Sequence, residues 1–106
     1  MGVEFVEWET FTESITQLLS DDEYVDLQAH LSEHPTAGDL IPGGGGLRKL
    51  RWWAEGRGKR GGIRVIYYVW SAQRLYMVHA YDKKHQKDLT GEQLKMLRGH
   101  IKGELL

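Results

Sequence analysis

Apolar and polar residues alternate over residues 3–8. Val3, Phe5 and Glu7 fall on one side of an extended chain and Glu4, Val6 and Trp8 on the other, the two-residue period of a short strand. The period then changes to that of a helix. Phe11, Ile15, Leu18 and Leu19 form an apolar stripe, and Thr10 with Glu13 has the spacing of a capping box, in which a hydroxyl and a carboxylate satisfy orphan amides reciprocally. Ser20 and Glu23 repeat that spacing and open a second helix through Tyr24, Leu27 and Leu31, which must stop before Pro35. Together they predict a helical hairpin with a solvated acidic face. Residues 36–46, with Pro42 and the run Gly43 to Gly46, predict a loop without a regular element. Three strand-like runs follow at residues 47–54, 62–70 and 75–82, separated by a Gly-punctuated turn at 55–60 and a short turn at 71–73. Thr90 and Gln93 then cap a last helix whose Leu94, Leu97, Ile101 and Leu105 share one stripe. The expected fold class is α+β: a curved antiparallel sheet, two N-terminal helices packed on one face, and a C-terminal helix, all in one domain over residues 1–106.

Composition narrows the chemistry. With 106 residues and no cysteine, the chain has room for one core and none of the groups for a disulfide framework, a thiolate zinc site or a Cys nucleophile. Its first residues lack the uninterrupted apolar core of a signal peptide, and no apolar run is long enough to cross a membrane, so a cytoplasmic protein without a membrane partner is expected. The net charge of −1 hides a division along the chain. Residues 1–46 contain no Lys or Arg, whereas all 14 lie in residues 47–106. Such asymmetry favours an anionic partner, nucleic acid being the commonest, over a surface neutralised by internal salt bridges.

The cations concentrate between Arg48 and Arg64, where Lys49, Arg51, Arg57, Lys59 and Arg60 also lie and Glu55 is the one acid. Strand alternation puts Lys49 and Arg51 on one face, and antiparallel pairing can bring Arg64 to them on the solvent side. Tyr68, Trp53 and Trp70 are then candidates to stack a splayed base beside a cationic patch, as single-stranded RNA recognition requires. The glycines do not form a phosphate loop of the nucleotide-binding kind, because no Lys-Ser or Lys-Thr follows at a helix start. His30 and His34 are four apart on a helix but lack a third ligand, so neither a metal nor another cofactor is expected. His85, just after Lys83 and Lys84, is the histidine best placed for chemistry. No Ser/His/Asp arrangement is visible.

Two segments carry a resemblance. GLRKLRWWAEGRGKRGGIRVIYY, from Gly46 to Tyr68, and YMVHAYDKKHQKDLT, from Tyr76 to Thr90, resemble the RelE/HigB toxins, in particular a HigB branch with a GLRK strand and a GKRGG hairpin. The similarity covers nearly the whole chain. It implies a small α+β ribonuclease of a toxin–antitoxin pair that enters the ribosomal A site, against ribosomal RNA, and cuts mRNA there. It also implies a cognate antitoxin with a helix-turn-helix domain, with operator DNA bound only through the toxin–antitoxin complex. Carried over by position, the family's basic strand pair falls on Lys49 and Arg51, its strand Arg on Arg64, and its basic pair after the last strand on Lys83 and Lys84. RelE has a catalytic Tyr near its C-terminus, whereas this sequence has no Tyr after Tyr81. Metal-free cleavage by 2′-OH attack then assigns Lys49 as a base loosened by the neighbouring Arg48 and Arg51, Arg51 and Arg64 as a phosphate clamp, and Lys84 or His85 as the acid. Arg48, Arg57, Lys59, Arg60, Tyr68 and Lys83 are expected to bind RNA around that centre. The alternative is a module of the same fold that binds RNA or the ribosome without cutting.

Overall fold

The computed structural model describes residues 2–53 and 62–105. In chain order these form β1 (Glu4–Glu7), α1 (Glu9–Leu18), α2 (Asp21–Glu33), β2 (Asp39–Leu40), β3 (Leu47–Trp52), β4 (Ile63–Ser71), β5 (Arg74–Asp82) and α3 (Gly91–Leu105). The strands make one sheet in the order β1-β5-β4-β3-β2.

The α+β class expected from the pattern is observed, but the sheet is mixed rather than wholly antiparallel. β3, β4 and β5 form the antiparallel meander, while β1 pairs with β5 in parallel, Glu4 opposite Arg74 and Glu7 opposite Met77. A parallel neighbour needs a long crossover, which here includes both helices, β2, β3 and β4. The segment read as pure loop also holds β2, a two-residue edge strand with Asp39 opposite Lys49. Two residues give no alternation to read.

Helices cover both faces. Phe11, Ile15, Leu27 and Leu31 of α1 and α2 pack with Leu50, Ile63, Val65, Tyr67, Leu75 and Met77. Leu97 and Ile101 of α3 pack on the opposite face with Leu47, Ile66, Val78 and Tyr81. This two-sided cover explains why Ile63 to Tyr67, including Arg64, is buried without interruption. Tyr67 is fully buried and ties the loop before β2 to the sheet: its hydroxyl accepts from the Gly38 amide at 2.9 Å and donates to the Pro35 carbonyl at 2.8 Å.

Two of the three expected capping boxes form. Ser20 and Glu23 exchange hydrogen bonds of 3.2 and 2.8 Å, and Thr90 and Gln93 exchange bonds of 3.0 and 2.9 Å. The box at Thr10 does not, because α1 starts two residues earlier, with Trp8 at its N-cap and no side-chain cap. The Thr10 hydroxyl instead donates to the Val78 carbonyl at 2.5 Å, fastening α1 to β5.

Candidate nucleic-acid site on the sheet

Register assembles the cations. Arg51 lies opposite Arg64, which lies opposite Tyr81; one step along, Lys49 lies opposite Ile66, which lies opposite His79. These two rows share the face on which α3 packs, so Lys49, Arg51 and Arg64 do converge by antiparallel pairing. The face is less open than the pattern suggests. Arg64 is only 7% exposed, Lys49 is partly buried and Arg51 is exposed. Arg51 lies directly across the strand pair from Arg64, so two guanidinium-bearing positions meet on this face.

A carboxylate sits over the rows. Asp88, from the segment after β5, accepts from Lys49 Nζ at 3.2 Å and from the Tyr81 hydroxyl at 3.2 Å through the same Oδ1, which also accepts from the Leu89 amide at 2.8 Å. The Leu89 amide, with Lys49 and Tyr81 behind it, holds the Asp88 carboxyl below the usual carboxylate range. Burial and the Asp88 charge push the Tyr81 phenol up to about 12, against the opposing charge of Arg64. Burial also lowers His79, which favours the neutral imidazole.

Sequence reasoning passed over Tyr81, Asp88 and His79. Strict alternation from Leu75 would put His79 with Leu75 and Met77, on the α1 side. A register shift between Ile66 and Tyr67 skips Val78, so that His79 falls opposite Ile66 on the cationic face. Nothing in the local pattern marks that bulge. Asp88 is reached only through the turn after β5.

The other expected site residues scatter. Lys83, Lys84 and His85 lie on the exposed turn after β5, at the sheet end where Ile63 pairs with Asp82. The Lys83 amide donates to the Gly62 carbonyl at 2.6 Å, the Lys84 amide to Asp82 Oδ1 at 2.9 Å, and His85 Nδ1 stands 3.7 Å from Asp82 Oδ2. The turn that carries them thus begins one residue beyond Tyr81, at the Arg51–Arg64–Tyr81 end of the face. Arg48 turns to the other face, where its Nη1 donates to the Gly38 carbonyl at 2.8 Å, so it does not crowd Lys49 as the sequence implied. Of the three aromatics, Trp53 is 49% exposed with the Arg51 guanidinium 6.0 Å from its ring centre. Tyr68 packs beside Leu47 and against Gly46, about 13 Å along β4 from Arg64, and Trp70 lies farther still, edge-on to Tyr76. Arg57, Lys59 and Arg60 lie outside the described residues. Among the described residues no group of three potential ligands could hold a metal ion; the rings of His30 and His34 are 5.3 Å apart, and His30 lies against Trp52.

Compared with known families, residues 11–104 match the family model of the RelE toxin of the RelE/RelB toxin–antitoxin system. The match runs from the first turn of α1 to the last turn of α3 and so includes both rows of the cationic face. By that match the chain belongs to the RelE toxin family.

Proposed function

We infer that this toxin is an endoribonuclease that cuts mRNA in the ribosomal A site, without a metal, and that it belongs to the HigB-like branch carrying the GLRK and GKRGG motifs. The observation that carries the reading is the convergence of Lys49, Arg51 and Arg64 on one face beside the half-buried His79. In the reaction, a ribose 2′-oxygen attacks the adjacent phosphorus, its proton passes to a base, and the 5′-oxygen leaves with a proton from an acid. The products are a 2′,3′-cyclic phosphate and a 5′-hydroxyl.

Arg51 and Arg64 clamp the phosphate oxygens, and Lys49 joins them by exchanging Asp88 for the phosphate. This replaces the sequence-based assignment of Lys49 as base, since Arg48 faces away and Lys49 already donates to a carboxylate. The neutral imidazole of His79 is the proton acceptor on this face. Lys84 or His85, at the open end of the row, supplies the leaving-group proton. Trp53, Lys83 and the basic residues Arg57, Lys59 and Arg60 hold the flanking nucleotides. A cognate helix-turn-helix antitoxin neutralises the toxin in the cytoplasm and carries the pair to operator DNA.

Wild type and Arg51→Ala, induced in bacteria, test this through growth and mapped mRNA 5′ ends. Arg51 is exposed, so its loss leaves the core intact. Growth arrest with new cuts inside translated frames is expected from the wild type, with cleavage falling on the order of 10²- to 10³-fold in the variant. Intact message from a folded wild type would replace the reading with a module that binds without cutting.

A further inference from the structure

We propose that the groove between α3 and the glycine loop is a second RNA-binding surface, which grips the phosphodiester backbone without reading bases. The inference rests on the RNA-directed reading above but concerns residues outside the cationic rows. Lys95, Arg98 and Lys102 are spaced i, i+3 and i+7 and so form one stripe along α3. They line a groove of about 670 Å³ with Gly45, Gly99 and Ile101, and none of those lining residues carries a carboxylate.

The groove holds one of its cations in a fixed pose. Gly45, at φ 66°, lies flat against the Arg98 side chain, so that a Cβ there would come within 3.0 Å of Arg98 Cγ. That close approach lets Arg98 Nη1 donate to the Gly43 carbonyl at 2.8 Å. A guanidinium has five donors in a rigid fork, so the remaining N–H groups stay available to phosphate oxygens. Lys95 and Lys102 stand on either side of it with exposed side chains. Three cations along one helix face suit a chain of phosphates, and the lack of an aromatic lining residue removes the stacking platform that base recognition uses. At its first turn α3 adjoins the Lys49 end of the catalytic face, because Leu94 and Lys49 border the same neighbouring pocket. That pocket is also lined by Asp39 and Asp88, so the stripe and the rows are two cationic surfaces separated by carboxylates.

The test uses the full chain and a short 2′-O-methyl RNA, which lacks the attacking hydroxyl and cannot be cut. Its affinity is measured against salt concentration for wild type, for Lys95→Glu/Arg98→Glu/Lys102→Glu, and for Lys95→Glu/Lys102→Glu, which keeps the Arg98–Gly43 bond; cleavage of ordinary RNA on ribosomes is followed in parallel. The expected result is a loss of roughly tenfold or more in affinity for the triple variant, with the slope of log affinity against log salt shallower by roughly two units. The double variant falls between, and RNAs of different sequence lose equally. Unchanged affinity and slope in both variants, with a wild type that cuts, would overturn the groove and leave the catalytic face standing. Unchanged RNA binding with lost capture of the cognate antitoxin would overturn it in favour of an acidic protein partner. A wild type that neither binds nor cuts would overturn both readings.

Discussion

His79 shows how a single side chain can tie stability to pH. Burial lowers its affinity for a proton relative to the unfolded chain, so the unfolded state binds more protons as the solution is acidified. Stability is therefore unaffected well above pH 6.5 and falls as the pH drops through the unfolded value near 6.5 toward the lower folded one. Urea titrations of wild type and His79→Gln between pH 7.5 and 5 are expected to give a flatter dependence for the variant. An equally steep decline in both would assign the acid sensitivity elsewhere. Asp88 works in the opposite sense, since its lowered carboxyl supports the fold above the ordinary carboxylate range and loses that support at lower pH. Being largely exposed, it contributes little. At this scale the sequence was partly legible. Lys49, Arg51 and Arg64 could be grouped because period-two alternation and antiparallel pairing are local rules. His79 could not, because a one-residue bulge reverses its side, and Tyr67 gave no sign that its hydroxyl would close a loop through Gly38 and Pro35.

At the scale of elements, the same capping signal led to different outcomes. Ser20 and Thr90 cap their helices, whereas Thr10 finds a strand carbonyl and its helix begins without a side-chain cap. The spacing is identical in each case, so what differs is the tertiary neighbour: β5 passes within reach of Thr10. Ser20→Ala is expected to cost about 1 kcal/mol, read as a lower denaturant midpoint with an unchanged slope, because it orphans the Glu23 amide at the start of α2. The alternating runs of β3, β4 and β5 were also readable, and so was the stripe of α3. That α3 would cover the face opposite α1 and α2 was encoded only in the double-sided burial of Ile63 to Tyr67, which reads equally well as one strong strand. The parallel partnership of β1 was beyond local patterns, since an isolated strand shows its faces and not its neighbour.

For the molecule as a whole, closure depends on the last strand. β5 is the partner of both β1 and β4, and it supplies Leu75, Met77 and Val78 to the two cores. A chain ending after residue 73 would leave β1 without its neighbour and α1 without the surface it packs on. Such a fragment is expected to be digested as readily as an unfolded chain in limited proteolysis, while one that includes α3 resists. A protected shorter fragment would show that α1, α2, β3 and β4 suffice. Because contacts between distant parts of a chain form late, this topology also sets an order in time. Synthesis runs from β1 onward, so the first strand emerges long before the strand that completes its edge. His79, Tyr81 and Asp88 are made later than the cations they accompany. A growing chain therefore carries Lys49, Arg51 and Arg64 before the strand that will lie beside them exists, and the cationic face is assembled only once β5 has been made.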